Sequence, residues 1–282
     1  MTTTSPAPVA PAAPAQAAAP RPRLAGLLAS EWTKIRTVRS TAWTLVIFVV
    51  ITLGFTALFT WLTVSNWNGP HAASRDVSVA TDPVGFILGA GLGLGQLTLC
   101  VLGVLVITTE YSTGVIRASL LAVPRRLWML TAKCVVFAVL LFVLGEIISF
   151  GSFFIGSSIL HSHVPVSLSD HNVTRAVLGS GLYLTVLGLF SLAIGGLIRH
   201  TAGGISAVIA LVLVVPPLIS LIPGTIANHI HGYLPNVAGQ LVAQTSEQAG
   251  DVLSPWQGFG VFCIWTAVLL AACGWLLVRR DA

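Results

Sequence analysis

The chain has 282 residues, 55% of them hydrophobic and only 8% charged, with a net charge of +5 and a mean hydropathy of +0.90. A soluble domain carries roughly 25% charged residues, so this chain cannot cover a water-facing surface and lipid is the solvent for most of it. The positive charge does not point to nucleic acid, because the basic residues fall where membrane topology needs them.

Residues 1–23 are mostly Ala, Pro and Thr, with Pro6, Pro8, Pro11, Pro14, Pro20 and Pro22 spaced too closely for a helix. No basic start precedes an apolar core, so this stretch reads as a disordered, partly polyproline-like cytoplasmic tail and not as a signal peptide. Residues 24–282 then form a single membrane domain. Leu24, Leu27, Leu28, Trp32, Ile35 and Val38 share one arc at helical spacing, with Lys34 and Arg36 towards its flanks. This pattern predicts an interfacial amphipathic helix leading into the first span. Glu31 falls near the middle of the apolar arc, where a lone carboxylate is costly, so a basic partner is expected. Arg117 is the candidate, being predicted on the same membrane face.

Six stretches reach the ~20 apolar residues that a membrane-crossing helix needs: Ala42–Val64, Val84–Ile107, Cys134–Leu160, Ala176–Ile198, Ile205–Ile222 and Gly258–Val278. Unsatisfied backbone amides cost several kcal/mol in lipid, which forces helix on each. Of the 14 Lys and Arg, all but Arg75 and Arg175 fall in one set of loops. The bias predicts a multi-pass protein of the cell membrane with both termini cytoplasmic.

Within the second span, Gly85, Gly89 and Gly93 lie four apart, a small-residue stripe of the kind that lets helices approach closely. Gln96 in the same span is either a packing residue or part of a substrate path. The segment from Thr108 to Lys133 is the longest polar-containing stretch on the cytoplasmic side. Val115, Ile116, Ser119 and Leu120 predict a short helix there, ending before Pro124, that would serve as a docking surface. Glu146 is the one acid deep within a predicted span. It is either a residue of a substrate path or a structural one, protonated or hydrogen-bonded near Ser149 and Ser152. In the fourth span Gly181, Gly188 and Gly195 form a second stripe, seven apart. Pro216-Pro217 must break regular hydrogen bonding in the fifth. The mostly uncharged residues 223–257 predict short helices dipping back into the outer leaflet.

The chain has two lysines, Lys34 and Lys133, and neither follows a glycine, so the sequence contains no phosphate-binding P-loop. Nor does it contain a His-Glu-x-x-His run or a Gly-x-Ser-x-Gly elbow. The expectation is a protein that is not an enzyme, with no catalytic, metal or cofactor-binding residues. The pairs His161/His163 and His229/His231 have metal-ligand spacing, but loop histidines are more often solvated. Cys100, Cys134, Cys263 and Cys273 all sit in or beside apolar runs and read as packing residues.

Three segments, taken in order, add up to a resemblance. Ser30-Glu31-Trp32-Thr33-Lys34-Ile35-Arg36 with Arg39-Ser40 is the first. Glu110-Tyr111-Ser112-Thr113-Gly114-Val115-Ile116-Arg117, with Pro124-Arg125-Arg126 and Lys133, is the second. Leu234-Pro235-Asn236-Val237-Ala238-Gly239-Gln240 is the third. Together they resemble the actinobacterial type-2 ABC transporter permeases over residues 24–280. The resemblance implies an all-α fold with an N-terminal interfacial elbow helix, six transmembrane helices, a cytoplasmic coupling helix between spans two and three, and external re-entrant elements. It further implies that Glu110, Tyr111, Gly114, Arg117, Pro124, Arg125 and Arg126 contact a separate ABC ATP-binding subunit that carries the ATP. The elbow residues would be Glu31, Trp32 and Lys34, and a second permease copy or a paralogue would complete the exporter. Two other readings fit a six-span chain: an ion-coupled secondary transporter, and a non-transporting membrane scaffold or immunity protein.

Overall fold

A computed structural model describes residues 24–69, 79–114, 126–247 and 250–279. Helix α1 (Leu24–Thr37) is followed by α2 (Arg39–Ser65), α3 (Pro83–Ser112), α4 (Arg126–Leu160) and α5 (Val173–Ile198). The next span is composite: α6 (Thr201–Ile209), a π-helical turn (Ala210–Val214) and α7 (Val215–Ser220). Short helices α8 (Thr225–Gly232) and α9 (Pro235–Gln240), then a 3₁₀ turn (Leu241–Ala243), precede α10 (Pro255–Arg279). Six helices are long and apolar enough to cross a membrane, and no strand occurs among the described residues. The protein is an all-α, multi-pass membrane protein. The tail 1–23 and the predicted helix through Val115, Ile116, Ser119 and Leu120 lie outside the described residues, as do Arg75, Arg117, Pro124 and Arg125.

The helices overrun their predicted apolar stretches because hydrogen bonding continues past the lipid until a residue stops it. Asp82 starts α3 by accepting from the Gly85 amide at 2.8 Å, with Pro83 in the first helical position. Gly114, at φ +71°, lies just beyond its far end in the left-handed conformation suited to ending a helix. Val38 is extended (φ −80°, ψ 105°), so the amphipathic helix stops at Thr37, short of the predicted Val38, and the chain turns into α2.

α5 is the core of the bundle, with 72% of its most apolar window buried against 22% for α2. Its predicted stripe explains this. A Cβ on Gly181 would meet the Glu146 carboxyl, one on Gly188 would meet Leu141, and one on Gly195 would meet Val104 and Ile107. Glycine at all three lets α5 sit against α3 and α4 together. In α3 the expectation fails. Gly89 and Gly93 face open space, and Gly85 lies against Asp82 within its own helix start. Gly91 and Gly95 instead press on Thr52 and Thr56 of α2, and Gly103 presses on Gly188 and Ser191 of α5.

The composite span has an exact backbone cause. The Val212 carbonyl would pair with residue 216 in an α-turn or 217 in a π-turn, and both are proline. Asn236 of α9 supplies the missing donor, its Nδ2 lying 2.8 Å from the Val212 oxygen. The segment 235–243 is wedged between α5 and α10 at Gly179, Gly239 and Gly258, each facing a backbone or ring atom too close for a side chain. Its last helical residue, Gln240, reaches Gln96 and Tyr183. Gln96 lies about 20 Å along α3 from Pro83 at 1.5 Å per residue. Gln240 therefore sits near mid-span, and α9 re-enters the bundle as the sequence predicted.

Candidate functional site

Both lysines of the chain meet at one end of the bundle. Lys133, at the start of α4, donates to Glu31 Oε2 at 2.6 Å and to Glu110 Oε1 at 2.8 Å. Lys34 of α1 donates to Glu31 Oε1 at 2.6 Å and to Glu110 Oε1 at 3.1 Å. Two ammonium groups and two carboxylates thus alternate around a closed ring that ties α1 to the last turn of α3 and the first turns of α4. Glu31, Glu110 and Lys133 are buried, and Lys34 keeps 35% of its side chain exposed. Glu31 has the basic partners that its position on an apolar arc required. They are Lys34, one turn along the same helix, and Lys133, which is 102 residues away. The expected partner Arg117 lies outside the described residues.

The adjacent residue is held from the other side. The Arg199 guanidinium lies 5.1 Å above the Tyr111 ring and donates to the Leu276 carbonyl at 3.1 Å. Arg199 has a left-handed backbone (φ 57°) at the end of α5, which turns its side chain across the ends of α3 and α10. Glu110 and Tyr111 therefore anchor the last turn of α3 to four other helices. The resemblance places the ATPase contact from Glu110 to Arg126; this turn carries its first residues, and residues 115–125 follow it in the sequence. Trp32 is half exposed on α1, and Arg126 opens α4.

Burial pushes the Glu31 carboxyl up, but the charge and hydrogen bond of Lys133, with those of Lys34, outweigh it and hold the group below its ordinary 4.5. Burial likewise pulls Lys34 down, while the hydrogen bond to Glu31 and the two carboxylate charges leave it above its ordinary 10.5. The stability that Glu31 contributes is present above its ordinary value and lost only as pH falls through the lowered one. That of Lys34 is complete below its ordinary value and lost as pH rises through the raised one. Thermal unfolding in detergent should therefore show a constant advantage of wild type over Glu31→Gln from about pH 5 to about pH 10. An advantage that disappears between about pH 7 and about pH 5 would contradict the ion-paired ring.

The two candidates for a substrate path differ. Gln96 belongs to a closed network: Tyr183 donates its hydroxyl to Gln96 Oε1 at 2.6 Å, and Gln240 Nε2 lies 3.2 Å from both. It locks α3, α5 and α9 together, which supports the packing role. Glu146 is alone. Both its oxygens are buried without a hydrogen-bond partner. Ser149 instead bonds Ser180, and Ser152 bonds Thr56, so the hydrogen-bonded structural reading of Glu146 is not what the bundle contains. At the far end, Asp82 accepts from the Thr245 amide and hydroxyl, Asn172 donates to the Thr245 carbonyl, and Arg175 donates to that of Gln244. These bonds clasp the return from the re-entrant segment. His163 stacks on Trp67 and His229 bonds the Thr225 carbonyl. Among the described residues no three His, Cys, Asp or Glu gather as metal ligands.

The sequence placed Glu31 and Lys34 on the elbow and, by resemblance, Glu110 among the ATPase contacts, but did not join the three, and it gave Lys133 no role. Glu110 is instead buried against Lys34 and Lys133. The one local signal is Lys34, three residues after Glu31; Lys133 has no acid nearer in the sequence than Glu146, 13 residues on. Asp82, Tyr183 and Asn236 carried no such signal. No family model matches the chain, and no curated protein matches its sequence.

Proposed function

We propose that this chain is the membrane-spanning permease subunit of an ATP-driven exporter of the type-2 ABC class. It would work with a separate ATP-binding subunit and a second permease copy or paralogue, with both termini in the cytoplasm. The ion-paired ring is the observation that carries this reading. It joins α1 rigidly to the two helices that flank residues 115–125, so a push on that connection would be delivered to the elbow, to α3 and to α4 as one body. A buried, hydrogen-bonded joint transmits displacement because its alternative is an uncompensated charge. The re-entrant α9, locked to Gln96 at mid-span, would close the opposite end in the same state. The distribution of Lys and Arg and the lack of any P-loop in the sequence fit a chain that receives the energy of ATP from a partner.

The test is photo-crosslinking from residues 117 and 125 in native membranes, followed by mass spectrometry and an ATPase assay of the purified complex. The expected product is a P-loop ATPase subunit whose turnover is retained with this chain and absent from the chain alone. Glu146, an unpartnered carboxyl deep in α4, is the observation that favours an ion-coupled secondary transporter. Ion-gradient-driven transport by the chain alone in proteoliposomes, with no crosslinked ATPase, would establish that reading instead.

A further inference from the structure

Glu146 lies midway along α4 between Lys133 and Leu160, about 20 Å from each, so its depth is well inside the hydrocarbon layer. Its carboxyl folds onto α5 at Gly181, where a Cβ would lie 2.5 Å from Oε1 and 2.6 Å from the carboxyl carbon. Gly145 meets the same turn: a Cβ on it would lie 3.0 Å from the Gly181 carbonyl oxygen. A glycine on each helix thus lets the two backbones close over the carboxyl. Oε1 and Oε2 are both buried, while the neighbouring Phe142, Val143 and Ile147 are exposed to lipid.

Few species can neutralise a carboxyl placed there. In α4 the basic residues are Arg126, its first residue, and Lys133, which is committed to Glu31 and Glu110. In α5 and at its end they are Arg175 and Arg199, which turn to the Gln244 carbonyl and to the Leu276 carbonyl and Tyr111. α2, which also packs on this part of α4, has one charged residue, Arg39, at its first position. α3 has one, Glu110, in the ring. A metal cation needs several oxygens, but the hydroxyls of Ser149 and Ser152, the next along α4, are turned to Ser180 and Thr56. Among the described residues the carboxyl therefore has no hydrogen-bond donor and no cation. Left ionised, it would be an unpaired charge in hydrocarbon, the costliest state open to it. A proton is the one ligand that removes the charge and needs no room.

We propose that Glu146 is a proton-binding site within the membrane, occluded where Gly145 meets Gly181. The carboxyl is neutral while α4 and α5 are in contact, and it exchanges its proton only when they part. The proposal stands whether the chain is driven by ATP or by an ion gradient, because it concerns the closed seam and not the source of energy.

The test is infrared spectroscopy of the full chain in lipid vesicles at neutral pH, before and after transfer from H2O to D2O. The difference between wild type and Glu146→Gln isolates this one carboxyl from the other acids. We expect that difference to contain the carbonyl stretch of a protonated carboxylic acid. The band should keep its H2O position while the exposed backbone amides exchange. In Gly145→Ala, whose methyl wedges the seam, it should shift at least about tenfold faster than in wild type. Should Gly145→Ala not fold, the first two readings decide. No protonated-acid band would mean an ionised, paired carboxylate and would overturn the proposal. So would a band that shifts together with the exposed amides, or equal exchange in wild type and Gly145→Ala.

Discussion

Lys133→Met is expected to destabilise the protein by about 3–5 kcal/mol, among the largest effects of any single substitution. The lysine is buried and bonds Glu31 at 2.6 Å and Glu110 at 2.8 Å. Removing it leaves two buried carboxylates sharing the one remaining ammonium of Lys34. Breaking such a pair costs more than the pair contributes, because the partner's charge remains buried without compensation. Lys34→Met should cost far less, at most about 1 kcal/mol, since its side chain is 35% exposed and water can replace it. The decisive variant combines Glu31→Met with Lys133→Met. One charge of each sign then goes, Lys34 keeps its 3.1 Å contact with Glu110, and methionines fill the space. Its cost should be well below that of Lys133→Met alone. Unfolding midpoints in micelles provide the measurement, and a double-mutant loss equal to the sum of the single losses would show that the charges act independently.

Gly103→Ala should cost about 1–3 kcal/mol, whereas Gly93→Ala in the same helix should be neutral or stabilising by about 0.5–1 kcal/mol. A Cβ at Gly103 would lie 2.6 Å from the Gly188 carbonyl oxygen and 2.7 Å from the Ser191 Cβ. Those atoms belong to α5 itself, so relief requires moving a helix and not rotating a side chain. A Cβ at Gly93 meets nothing within 4 Å, and alanine there restricts the unfolded chain at no steric cost. Gly91→Ala should behave like Gly103→Ala, because its Cβ would lie 2.4 Å from the Thr52 carbonyl oxygen. Leucine at either packed position should magnify the loss and leave Gly93 little changed. Thermal unfolding of the three variants side by side is sufficient. A loss at Gly93 equal to that at Gly103 would mean that the α3–α5 contact does not set the stability of the bundle.

These glycines mark where sequence and tertiary structure divide the information. The six spans were legible from the sequence because length and hydropathy are local properties, and a backbone in lipid has to bond within its own segment. The amphipathic α1 was legible for a related reason: at an interface only one face of a helix is apolar, so its period can be read. The stripe of Gly181, Gly188 and Gly195 was legible because α5 is buried on most sides, and a packed face did not have to be told from a lipid-facing one. In α3 both faces are apolar and both carry glycines. Lipid tails are as apolar as leucine, so hydropathy does not say which face turns inward, and only the contact with Thr52 and Thr56 selects Gly91 and Gly95.

The candidate site divides in the same way. That Glu31 needs a cation follows from one helix and its period, and the sequence alone determined it. One cation, Lys34, lies one turn along the same helix; the buried one, Lys133, is 102 residues away and is decided by how α4 is laid against α1. The donor for the Val212 carbonyl comes likewise from Asn236, on a helix that re-enters the bundle. Local sequence fixes which groups lack a partner, because hydrogen bonding and burial along one helix are counted over a few residues. Tertiary structure decides the partner, because charges and hydrogen bonds act across space between segments whose relative placement no single helix encodes.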